Sequence, residues 1–154
     1  MKTNHMHLAE RGFTVIEMVI VMVLVGILMS VALPFFRTSS TKSSVRGAAD
    51  VIASLNNLAK ATAIQRGKTA RLVLFASSSK ALVVADKSTG SGMDTISTVE
   101  DLAERFSVTF TTTRDTIVYT PRGIGSALTG TTIIVSRGTS RDTITVSAAG
   151  RLTR

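Results

Sequence analysis

The sequence predicts an α+β fold: a long N-terminal helix, its first half transmembrane, packed on a C-terminal antiparallel β-domain. Three observations carry this. The stretch RGFTVIEMVIVMVLVGILMSVALPFF holds no charge after Arg11 except Glu17. From Val45 to Ala59 apolar residues recur at steps of three and four, the period of a helix. From Ala70 onward the period falls to two, the mark of half-buried strands. These changes divide the 154 residues into a polar N-terminal segment (1–12), an apolar stem (13–36), the second half of the helix (37–67) and a β-domain (68–154).

The N-terminal segment, MKTNHMHLAERG, is polar and mildly basic. A secretory signal would follow it with a short apolar core and a small-residue cleavage site. Here the apolar run is longer and ends in Pro34-Phe35-Phe36, so it reads as a retained anchor. Phe13 to Leu33 is 21 residues, and at about 1.5 Å per residue it reaches roughly 31 Å. A bilayer's hydrocarbon core is about 30 Å thick. A carboxylate at the centre of such a span costs about 2.5–3.5 kcal/mol, and less near its end. Glu17 therefore either reaches the interface or awaits a cationic partner.

After Arg37 the polar piece TSSTKSS leads into a second helical pattern. Val45, Ala48, Ile52, Leu55 and Ala59 form one apolar stripe, with Asn56, Asn57, Lys60 and Gln65 mostly off it. Gly67 is the expected C-cap, behind basic Arg66. Pro34 is expected to kink or interrupt the path between the two segments, and one long helix accommodates both. The runs ARLVLFA, ALVVA, RFSVTFT, TIVYT, TTIIVS and DTITVS read as strands. DKSTGSGM (86–93) reads as a loop, and GIGSALTG (123–130) and SRGTSRD (136–142) as hairpin connections. The last two strands are expected to pair antiparallel, their linker being too short for a crossover.

Composition excludes more chemistry than it suggests. There are no cysteines, and the two histidines, His5 and His7, precede the stem. The presumed globular part thus lacks the usual nucleophile–base pairs and thiolate or imidazole metal ligands. We expect no enzyme, no cofactor and no metal site. TAIQRGKT (62–69) imitates a phosphate-binding loop, but Thr62 replaces the first glycine and the GKT closes a helix where such a loop opens one. Glu100, Asp101 and Glu104 read as a solvated helical turn, and Asp86 and Asp94 as loop acids; neither set has EF-hand spacing. The net charge is +8 and the pI about 10.9, which favours acidic partners, although the basic residues are spread along the chain.

Gly12-Phe13-Thr14-Val15-Ile16-Glu17, behind its short basic leader, resembles the processing site of type IV pilins and type II secretion pseudopilins. The resemblance implies cleavage between Gly12 and Phe13 by a prepilin peptidase, then N-methylation of Phe13. It also implies that Glu17 pairs with the terminal amine of a neighbouring subunit when stems stack in a filament. Tyr119-Thr-Pro-Arg-Gly123, TTIIVS and TITVSAAGRLTR are similar to the end of the GspH/FimT group of minor pseudopilins and pilins. A pilin-like fold is thereby implied. So are its partners: other pilins, the inner-membrane assembly platform, and the lipid bilayer before assembly. Lys2 and Arg11 precede the stem while Arg37, Lys42 and Arg46 follow it, so charge does not orient it. The resemblance places the leader in the cytoplasm and the globular domain beyond the inner membrane.

In this reading Leu24, Val25, Ile27 and Leu28 supply packing between stems, and Gly26 and Ser30 allow close helix approach. Two alternatives stay open. One is a FimT-like minor pilin that binds DNA through Arg151 and Arg154, with Arg141 and Arg137; GRLTR has one residue more between its arginines than the FimT pattern. The other is a membrane-anchored binding domain that never polymerises.

Overall fold

The computed structural model describes residues 13–154, so the leader lies outside the described residues. Helix α1 (Val15–Arg66) runs uninterrupted through Pro34, and the chain divides after Arg37 into two units. In the first unit Thr14 opens the helix. Its Oγ1 accepts from the Glu17 N–H at 3.3 Å, satisfying one of the donors a helix start leaves free. Apolar side chains from Val15 to Phe36 are all exposed, and none of the membrane-length window is buried among the described residues.

The second unit, Thr38–Arg154, contains the core. Val45, Ala48, Ile52, Leu55 and Ala59 are buried as their spacing predicts, joined by Ala49, Thr62 and Ala63. Asn56 departs from expectation: it is buried too. The helix stops at Gly67 (φ +59°), where the N–H groups of Gly67 and Lys68 bond to the carbonyls of Ile64 and Ala63. This pair of bonds uses up carbonyls that the helix end leaves unpaired, and glycine takes the left-handed turn without strain. The phosphate-loop imitation is this helix cap.

In chain order follow β1 (Ala70–Phe75), β2 (Lys80–Asp86), β3 (Met93–Thr95), β4 (Glu100–Asp101), helix α2 (Leu102–Phe106), β5 (Thr109–Thr112), β6 (Thr116–Tyr119), β7 (Thr131–Arg137), β8 (Ser140–Val146) and β9 (Leu152–Thr153). They form two antiparallel sheets. The first is ordered β3-β2-β1-β6, with β4 also pairing to β2; the second is β5-β7-β8-β9. Alternate residues of β1 (Ala70, Leu72, Leu74), β2 (Ala81, Val83, Ala85) and β7 (Thr131, Ile133, Val135) are buried, as a sheet with one covered face requires. Small residues on α1 admit close neighbours: a Cβ at Gly47 would stand 2.9 Å from the Phe106 ring.

Three expectations need correction. GIGSALTG is not a hairpin connection, because β6 and β7 belong to different sheets and the segment carries the chain between them. RFSVTFT is not one strand. Arg105 and Phe106 complete α2, which Asp101 opens by accepting from the Glu104 N–H at 2.9 Å; Ser107 (φ +53°) ends it, and β5 starts at Thr109. Met93, assigned to a loop, opens β3. The β7–β8 hairpin around Gly138 is as expected, with Val135 opposite Asp142 and Arg137 opposite Ser140.

Candidate functional site

At the start of the described chain Phe13 is 70% exposed, and Glu17 lies in the first helical turn. Thr14 and Glu17 have the spacing of a capping box, and a carboxylate there faces the positive end of the helix dipole. The turn therefore tolerates the glutamate on local grounds alone. Gly12 lies outside the described residues.

The C-terminal motif is built around Tyr119. Its ring is fully buried, and its hydroxyl donates to Asn56 Oδ1 at 2.6 Å. Burial pushes the phenol above its ordinary value of 10.0, while the bond to Asn56 pulls the other way. Gly150 (φ +84°) lies against the ring so closely that a Cβ would overlap it. Gly123 (φ +74°) sits over α1, where a Cβ would come within 2.6 Å of Ile64 Cδ1. The tyrosine and both glycines of the motif thus pack the β6–β7 connection against the helix and the β8–β9 turn against the Tyr119 ring.

The four arginines separate into two pairs. Arg154 Nε donates to Asp142 Oδ2 at 2.7 Å, and its guanidinium also pairs with Asp50 on α1 and reaches the Arg46 carbonyl. The bond to Asp142, against some desolvation, holds its pKa above the ordinary value. Arg137 donates to Ser44 Oγ at 2.6 Å and to the Phe106 carbonyl at 3.2 Å. Arg141 and Arg151 are exposed, and neither guanidinium has a partner among the described residues. The structure does not gather the four into one surface of free guanidinium groups.

Four of the five candidate acids are likewise occupied. Asp86 pairs with Arg71 at 2.9 Å, Asp94 with Arg66 at 3.1 Å, Asp101 with Lys80 at 3.0 Å and Glu100 with Arg105 at 3.3 Å. Among the described residues no group of acids and histidines could hold a metal ion. The N–H of Glu104, then Lys80, hold the half-buried Asp101 carboxyl below its ordinary 3.8. Sequence reasoning missed a groove of about 730 Å³ between residues 38–46 of α1 and the β7–β8 turn, lined by Lys42, Arg46 and Arg141 among others. Its one available signal was the Lys42–Arg46 pair, four apart and so on one helical face.

A long helix whose exposed apolar start precedes an α+β unit of two antiparallel sheets defines a pilin-like subunit. Solved structures agree on the fold. The type IV minor pilin FimU of Pseudomonas aeruginosa PAO1, in one crystal form, matches with a TM-score of 0.58 at 13% identity, covering 72% of this chain and 87% of that one. A second crystal form gives 0.55 at 15% identity, covering 70% and 90%. The family model described as type II transport protein GspH matches residues 48–150, and the prokaryotic N-terminal methylation motif matches residues 8–33. The chain belongs to the GspH family. No curated protein matches it by sequence.

Proposed function

We propose that this chain is a minor pseudopilin: a non-enzymatic structural subunit of a type II secretion pseudopilus or type IV pilus, acting in filament assembly and protein secretion. Prepilin peptidase cleaves after Gly12 and methylates Phe13. The stem waits in the inner membrane with the folded unit beyond it, then packs among other pilin stems, where Glu17 meets a neighbour's terminal amine. One observation carries this reading: a methylation motif over residues 8–33 leads into an apolar stem whose membrane-length window is left exposed among the described residues. Apolar surface of that extent needs lipid or other stems to cover it.

The DNA-binding alternative depends on Arg137, Arg141, Arg151 and Arg154. Two of these, Arg137 and Arg154, have their guanidinium groups committed within the protein, which favours the structural role. The anchored domain that never polymerises differs in keeping its leader. Coexpression with a prepilin peptidase, followed by intact-mass and N-terminal analysis of membrane-extracted protein, decides between them. The expected product begins at N-methylated Phe13; a product still beginning at Met1 refutes the assignment.

A further inference from the structure

The groove between α1 and the β7–β8 turn has no part in the reading above. Lys42, Arg46 and Arg141 stand at its walls, all exposed and none with a side-chain partner among the described residues. Ser39, Ser43 and Ser140 add hydroxyl donors. The one acid in the lining, Asp142, is engaged by Arg154. Three cations unpaired among the described residues, with several hydroxyls, around about 730 Å³ suit a phosphate group, which accepts hydrogen bonds from every side.

Position along the chain selects the source of that phosphate. Ser39 follows the last apolar residue, Phe36, by three positions and Arg46 by ten. At about 1.5 Å per helical residue these lie no more than roughly 5 and 15 Å further along the helix. The head-group layer on each side of a bilayer is about 5–7 Å deep, and lysine and arginine stems extend towards it from just outside. The first residues of the groove's helical wall therefore follow the stem closely enough in the chain to reach lipid phosphates when the stem occupies a membrane.

We infer that this groove binds the phosphate of an anionic phospholipid head group, with Lys42 and Arg141 as its principal contacts. It steadies the folded unit at the membrane surface while the subunit awaits assembly. The inference rests on the membrane-anchored reading above. Cations at an anionic surface contribute about a fivefold change in affinity each, so losing two weakens binding by more than about tenfold.

The test uses the full chain in maltoside micelles, followed through backbone amide shifts of residues 39–46 and 139–142. It is titrated separately with dihexanoyl phosphatidylglycerol, dihexanoyl phosphatidylcholine, inorganic phosphate and a duplex DNA oligonucleotide. Phosphatidylglycerol is expected to bind saturably and most tightly. Lys42→Gln with Arg141→Gln should weaken it by more than about tenfold without altering shifts elsewhere, and Lys42→Arg should retain it. Equal binding of the two lipids, unchanged affinity in the double variant, or tighter binding of phosphate or DNA at these amides overturns the assignment. Carbonate extraction separates the premise from the site. A chain stripped from membranes removes the anchor and the proposal together, while a retained chain without lipid preference overturns the groove alone.

Discussion

Tyr119→Phe deletes one oxygen and leaves Asn56 Oδ1 buried without its donor. Both residues are at most 1% exposed and their bond is 2.6 Å long, so water does not replace the hydroxyl freely. An unsatisfied buried polar atom costs about 1–3 kcal/mol, equivalent to a fall in Tm of several degrees for a unit of this size. Replacing both partners, as Tyr119→Phe with Asn56→Leu, removes the unsatisfied atom and should recover most of the loss. The assay is urea unfolding of the full chain in detergent, followed by circular dichroism, for wild type, both single variants and the pair. A second signature lies at alkaline pH. Because burial raises the folded tyrosine's pKa above 10.0, the unfolded chain releases the proton first. Stability is intact below about pH 10 and falls as pH rises towards the folded value, a loss the Phe variant lacks. A single-variant cost below about 0.5 kcal/mol, or a double variant no better than Tyr119→Phe, refutes the argument.

Other perturbations follow from the same geometry. Gly150→Ala combines a left-handed backbone (φ +84°) with an overlap on the Tyr119 ring and should cost at least about 2 kcal/mol in thermal unfolding. Glu17→Ala should leave carbonate-resistant membrane retention intact yet reduce co-purification with other pilins; equal incorporation would mean that the carboxylate serves only its helix turn. The Asp101 carboxyl is held below its ordinary 3.8, first by the Glu104 N–H and then by Lys80. Its contribution is present above that pH and disappears as pH falls through the folded value. Asp101→Ala should therefore narrow the difference in urea midpoint between pH 5 and pH 2.5.

What could be read in the sequence depended on how local its cause was. The buried stripe from Val45 to Ala59 follows from helical period, and the strand runs follow from alternation, since a sheet with one covered face repeats every two residues. Arg105 and Phe106 were misassigned because their β-like composition outweighed a helix-opening pattern, Asp101-Leu-Ala-Glu104, that was visible. The passage from β6 to β7 between sheets left no mark in GIGSALTG, because a turn composition does not name the strands it joins. Asn56 and Tyr119 meet across 63 residues, and Arg154 and Asp50 across 104; no local pattern announces either pair. The processing site is the reverse case. The methylation motif over residues 8–33 is carried by linear sequence alone, so it stands out without any long-range pairing having to be inferred.

The two sheets have long interiors and short margins. Inner strands β1, β2, β7 and β8 run six or seven residues, while the outermost, β3, β6, β5 and β9, have three, four, four and two. A margin this brief offers few unpaired amides and carbonyls, so another chain's strand gains little by adding to it. Subunits crowded together in a filament or a membrane patch are thereby protected from runaway sheet-to-sheet aggregation. On the proposed function, ordered association is left to the stem, whose apolar side chains are exposed from Val15 to Phe36.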